Sequence, residues 1–196
     1  MDLEKIGEVV ETSNSEFLVQ CYDLDGAPPL GSMVRTRGKC CEIYGIVYLS
    51  ATHSIEPSRR ITARGKNAAS EADVFKANPQ LAKLLSSDFK ALVVCHTREN
   101  AFHQYLPPSP APVYAFVYSC QPEDVKQFTQ SLDFLNLMIE SRLTVPPDEV
   151  IAAFLRYASV THPDPEGFLI KAGKELAWML SNDIRRLDSI LKRLRL

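Results

Sequence analysis

Histidines, cysteines and paired carboxylates are the side chains of this sequence that could move protons, hold a metal or form a covalent intermediate. Five cysteines, Cys21, Cys40, Cys41, Cys95 and Cys120, form an odd set without a CxxC pair, which is poor material for a disulfide framework or a zinc knuckle. A metal site assembled in space from Cys95, His96, His103 and Cys120 would be the exception. Cys95 and His96 are neighbours on an expected strand, so their side chains point to opposite faces and the site is not expected to form. The carboxylates of Asp148-Glu149, Glu123-Asp124 and Asp164 with Glu166 fall in expected first helical turns, where exposed amides and the helix dipole account for them. His162 sits between Thr161 and Pro163 in an expected inter-helix turn, and His53 in an expected loop; both read as solvated turn residues.

Two catalytic motifs are absent. A nucleophilic serine on a strand-to-helix elbow would need GxSxG, which does not occur. A phosphate-binding loop needs GxxxxGK[ST], because backbone amides cradle the phosphates while the lysine and the hydroxyl reach phosphate and magnesium. The Gly-Lys pairs are Gly38-Lys39, Gly65-Lys66 and Gly173-Lys174, followed by Cys40, Asn67 and Glu175, and none completes that pattern. The expectation is a non-enzymatic chain with no cofactor and no metal, a small hydrolase being the weaker alternative.

Basic residues offer the better lead. Arg59, Arg60, Arg64 and Lys66 place four positive charges within eight residues, either as a solvated loop or as an electrostatic contact for an acidic partner or a phosphate backbone. Near the C-terminus Arg185, Arg186, Lys192 and Arg193 fall within about a third of a turn on a helical wheel, opposite a leucine side. Helix-dipole stabilisation is the ordinary reading of that second group. Both groups are carried forward as candidate contacts for a protein partner or nucleic acid.

The elements that must position these residues change period along the chain. Ile6–Val10, Glu16–Asp23, Met33–Arg37 and Cys41–Ser50 read as strands separated by Gly, Pro and Asp turns. Phe17, Val19 and Cys21 share one strand face. Ile43, Gly45, Val47 and Leu49 alternate with Tyr44, Ile46 and Tyr48, so both faces of that strand are apolar, as for a strand inside a closed barrel. Gly45 is expected at a bend or bulge. A helical insertion at about residues 70–86 follows, then strands at Asp88–Thr97 and Val113–Ser119, joined by the stiff Pro107–Pro112 connection. Four prolines there form either a strap or a surface for an aromatic groove.

From Gln121 the apolar period becomes about 3.6 residues. Val125, Phe128, Leu132, Leu135 and Ile139 predict one long helix. Pro146-Pro147, Asp164-Pro165 and the region of Asn182 open three more. Trp178 is expected in the core or at a domain interface. The reading is α+β: an N-terminal antiparallel β-barrel domain over residues 1–119 and a helical domain over 120–196.

The order of four short motifs, Ile6-Gly7-Glu8-Val9-Val10, Ser15-Glu16-Phe17, Gly31-Ser32-Met33-Val34 and Tyr44-Gly45-Ile46-Val47, resembles the HAS-barrel family of HerA helicases and ATP synthases. Gln104-Tyr105-Leu106-Pro107-Pro108 and Leu169-Ile170-Lys171-Ala172-Gly173 extend the resemblance to stand-alone HAS-barrel proteins of cyanobacterial type that lack the ATPase domain. In the larger members the barrel precedes a nucleotide-hydrolysing domain and contacts neighbours, so the resemblance implies a barrel that presents a surface.

Composition agrees with a modest role for long-range charge. The 196 residues carry 22 basic and 24 acidic side chains, a formal net charge of −2, so no global field draws the chain to nucleic acid or anionic lipid. The sequence lacks an N-terminal signal pattern and any run of about 18 apolar residues. A reducing cytoplasm is the expected compartment. Function is expected to be protein interaction or assembly through the barrel, with nucleic-acid binding through Arg59 to Lys66 as the alternative.

Overall fold

Alternation of buried and exposed side chains builds the first half of the chain into sheet. The computed structural model describes residues 5–194 other than 57, 59 and 100. Strands β1 (Lys5–Thr12), β2 (Glu16–Cys21), β3 (Met33–Arg37), β4 (Glu42–Ser54), β5 (Leu85–Arg98), β6 (Ala101–His103) and β7 (Phe116–Ser119) form one antiparallel sheet. Its order is β2-β1-β7-β3-β4-β5, and β5 pairs back onto β2, which closes a six-stranded barrel. Residues Asp88–Leu92 of β5 carry that closing pair, and β6 lies further along β5.

The helices follow the prolines and caps. Helix α1 (Glu71–Ala77) starts where Ser70 accepts from the Asp73 amide, and a 3-10 turn spans Pro79–Lys83. In the second half α2 (Pro122–Phe128), α4 (Pro147–Ser159) and α5 (Pro165–Met179) each open on proline, which lacks the amide that a first turn would leave unpaired. Helix α3 (Phe134–Glu140) lies between α2 and α4, and α6 (Ile184–Arg193) follows α5.

Two apolar clusters hold these elements. Val9, Phe17, Val19, Val34, Ile43, Val47, Phe89, Ala91, Val93 and Val117 pack inside the barrel. Outward-facing Met33, Tyr44, Ile46, Tyr48, Leu92 and Val94 instead share a cluster with residues of α2 to α6, among them Ile151, Phe154 and Leu155 of the buried α4. Both faces of β4 are therefore apolar for two reasons: one face fills the barrel and the other is roofed by helices. Full burial of one such side chain contributes roughly 1.5–3 kcal/mol.

Several expected boundaries shift. The register slips between Tyr44 and Gly45, so Gly45 does mark a bulge, and a Cβ there would stand 2.9 Å from Ala91 Cβ. Strand β4 continues past Ser50 because Ala51–Ser54 pair with Asp88–Leu85. Strand β7 begins at Phe116, since Ala115 N donates to Pro112 O across a turn whose third residue, Tyr114, has φ +66°. The long helix expected from Pro122 is two helices, broken at Thr129–Asp133. Strand β6, three residues after a charged turn, was not expected at all. Trp178 is not core but 75% exposed on α5.

The proline connection crosses the barrel. Asn14 Nδ2, in the β1–β2 turn, donates to Pro107 O at 3.2 Å, and Ala111 enters the inner cluster. The connection thus runs as a strap over one end of the barrel wall.

Candidate interaction surface

Helices roof the part of the barrel wall around β4, β5 and the Met33 end of β3, and the part around β1, β7 and the Arg35–Arg37 end of β3 is left bare. On β7 the inward residue is Val117, so Phe116 and Tyr118 face outward. Cross-strand pairing sets Tyr118 between Lys5 of β1 and Arg35 of β3. The turn before β7 projects Val113 and Tyr114 from the same side, and Tyr114 is 75% exposed.

These residues frame a groove of about 540 Å³, lined by Arg35, Arg37, Val113, Tyr114, Phe116 and Tyr118 among others. Lys5 Nζ stands 3.9 Å from the centroid of the Phe116 ring. Glu42 faces Arg37 in the β3–β4 register, yet its carboxylate accepts from Arg35 Nη1 at 3.1 Å and from Tyr44 Oη at 3.0 Å. Arg37 has no ion-pair partner among the described residues, and its charge borders the groove.

Tyr114 is held where it is by backbone. Its amide donates to Val9 O at 2.8 Å, and Val9 N donates to Ala115 O at 3.0 Å, which ties the turn to β1. A left-handed conformation at the third position of a turn suits glycine or asparagine; in a tyrosine it costs about 1–2 kcal/mol. The most exposed aromatic of this wall is thus also a strained one.

The sequence-identified cations have other surroundings. Arg59 lies outside the described residues. Arg60, Arg64 and Lys66 are exposed, and Arg64 Nη1 donates to Asn78 Oδ1 at 3.3 Å. The C-terminal group does not form one open face. Arg186 Nε donates to Asp148 Oδ1 at 2.8 Å and Arg186 Nη2 to Ile139 O at 3.1 Å, while Arg193 Nε donates to Glu149 Oε1 at 2.6 Å. Both side chains strap α6 to the start of α4. Lys192 pairs with Asp188 at 2.5 Å one turn earlier, and Arg185 is exposed.

Of the polar residues considered for chemistry, the buried thiols, His96 and His162 are absorbed into packing, whereas Cys40 and His53 are exposed. Burial pushes the Cys95 and Cys120 thiols well above the ordinary range, and it raises Cys21 to about 11 with help from Asp88 and Asp23. Thiols held protonated in this way are weak nucleophiles. His96 is buried, with Nδ1 3.2 Å from Tyr105 O, and its ring stacks on His103 at 5.4 Å. Among the described residues no group of three or more His, Cys, Asp or Glu is arranged to hold a metal ion. His162 is not merely a solvated turn residue: Nε2 is 2.8 Å from Thr129 Oγ1, and the ring stacks on Phe168 at 4.2 Å.

A signal for the bare wall existed in Val113 to Ser119, where Tyr114, Phe116 and Tyr118 alternate with smaller residues and so share a strand face. Nothing local reveals whether that face meets helices or solvent. No family model matches this chain, and no curated protein matches it in sequence.

Proposed function

We propose that this chain is a non-enzymatic interaction module that presents a HAS-like barrel to a protein partner through the wall formed by β1, β7 and β3. The reading rests on Tyr114, a large exposed aromatic kept in a left-handed turn at a cost in stability. Strain of that kind persists only where the surrounding structure over-determines it, and it clusters at binding surfaces. Tyrosine and arginine are the residue types that anchor protein interfaces, because each combines large contact area with a polar end. The helices act as a brace, since they pack on β4, β5 and the Met33 end of β3 and contribute no residue to the groove lining.

Capture from native extract tests the reading. Immobilised wild-type chain is expected to retain a stoichiometric protein partner that Tyr114→Asn no longer retains, asparagine being a residue that tolerates the same backbone. Equal capture by both proteins, or a partner lost only when Arg60, Arg64 and Lys66 are neutralised, would remove the groove from the function.

A further inference from the structure

We infer that the groove between β3 and the Pro112–Phe116 turn receives an acidic peptide segment, with a carboxylate on Arg37 and an apolar side chain against Val113 and Tyr114. This rests on the interaction reading above and adds the chemistry of the occupant. The electrostatic argument begins with Glu42. In an antiparallel ladder Glu42 is the natural neighbour of Arg37, because the two residues are directly paired. Arg35 and Tyr44 take its carboxylate instead, so one cation at the groove is balanced within the fold and the next is not. Lys39 follows Gly38 at the exposed tip of the same hairpin, and Lys5 borders the far side over Phe116. The surplus charge around the groove is positive, in a chain whose overall charge is −2.

The wall itself is apolar and aromatic. Val113, Tyr114 and Phe116 are exposed beside Arg37, so an occupant that offers only charge would leave that surface wet. A peptide that alternates an acidic residue with an apolar one meets both requirements. A nucleic-acid strand fits less well. Phosphates need a continuous track of free cations and bases need open ring faces. Here Glu42, in the groove lining, and Glu8, paired with Phe116, interrupt the cations, so no continuous track forms.

A phage-displayed random peptide library panned on the intact chain supplies the test. The enriched sequences are expected to carry aspartate or glutamate beside an aromatic or aliphatic residue. A fluorescein-labelled synthetic copy of the commonest sequence should then bind with an affinity that falls with added salt. Arg37→Gln and Tyr114→Asn should each weaken it by about tenfold or more, the scale of losing one interface anchor. Arg185→Gln, which replaces an exposed cation on α6 away from the groove, should leave it unchanged. Enrichment of neutral or basic peptides, no enrichment, or binding unaffected by both groove variants would overturn the proposal. So would tighter binding of labelled oligothymidylate or oligouridylate that the same variants abolish, because it would make the wall a nucleic-acid surface. If peptide selection fails while Tyr114→Asn still abolishes partner capture, the choice of occupant is wrong and the interaction reading stands; failure of both experiments removes both.

Discussion

The side-chain oxygen of Gln104 accepts a hydrogen bond from Phe134 N at 2.9 Å, at the break that divides one expected helix into two. The amide nitrogen of Gln104 also donates to Phe128 O at 2.7 Å and to Ser131 O at 3.1 Å. One glutamine, just beyond the end of β6, therefore caps the last carbonyl of α2, a carbonyl of the connecting turn and the first amide of α3. Gln104→Ala would leave three backbone groups seeking new partners. Each unmade bond of this kind costs about 1 kcal/mol or more, so the variant is expected to lose roughly 2–3 kcal/mol in urea denaturation. An unchanged midpoint would show that water replaces the cap without penalty.

Arginines 185 and 186 are adjacent in sequence and opposite in consequence. Arg186 joins Asp148 and the carbonyl of Ile139, both on other helices, whereas Arg185 is exposed. Arg186→Ala should destabilise the fold by about 1–3 kcal/mol, since a partly buried charge pair is broken from one side. Arg185→Ala should stay within about 0.5 kcal/mol of wild type. Thermal unfolding of the two variants side by side checks the contrast.

Gly31 places the chain against α4. Its φ is +83°, and a Cβ there would lie 2.5 Å from Ala153 C and 2.6 Å from Phe154 N. Neither neighbour can move, because both are backbone in the buried helix. Gly31→Ala is expected to cost more than about 2 kcal/mol, combining left-handed strain with overpacking. Survival of wild-type stability in this variant would mean that the barrel and α4 are not in the contact described.

His162 predicts a pH dependence. Burial lowers its pKa from the ordinary 6.5, with Lys126 and Lys171 adding repulsion to the charged ring. Thr129 Oγ1 gives its hydrogen to Val125 O at 2.7 Å, so His162 Nε2–H donates to the hydroxyl. The folded state prefers the neutral ring, and in acid the unfolded chain binds more protons. The contribution is present above pH 6.5 and is lost as pH falls through the depressed folded value. His162→Gln should flatten the stability profile over that window while leaving the profile at higher pH parallel to wild type.

Much of the barrel was legible from local pattern. The burial of Phe17, Val19 and Cys21, the bulge at Gly45 and the proline-led starts of α4 and α5 each follow from near-neighbour rules, namely a two-residue period, a missing Cβ and a missing amide. Those rules act within a few residues, so a single sequence suffices to apply them. The break at Thr129–Asp133, the strapping of α6 by Arg186 and Arg193, and the exposure of Trp178 and Tyr114 depend on groups tens of residues away. A cation in sequence is the same whether its carboxylate partner is near or absent. Only tertiary structure decides that Arg186 and Arg193 are engaged while Arg37 is left open, because only the fold brings Asp148 and Glu149 to the first two and commits Glu42 to Arg35.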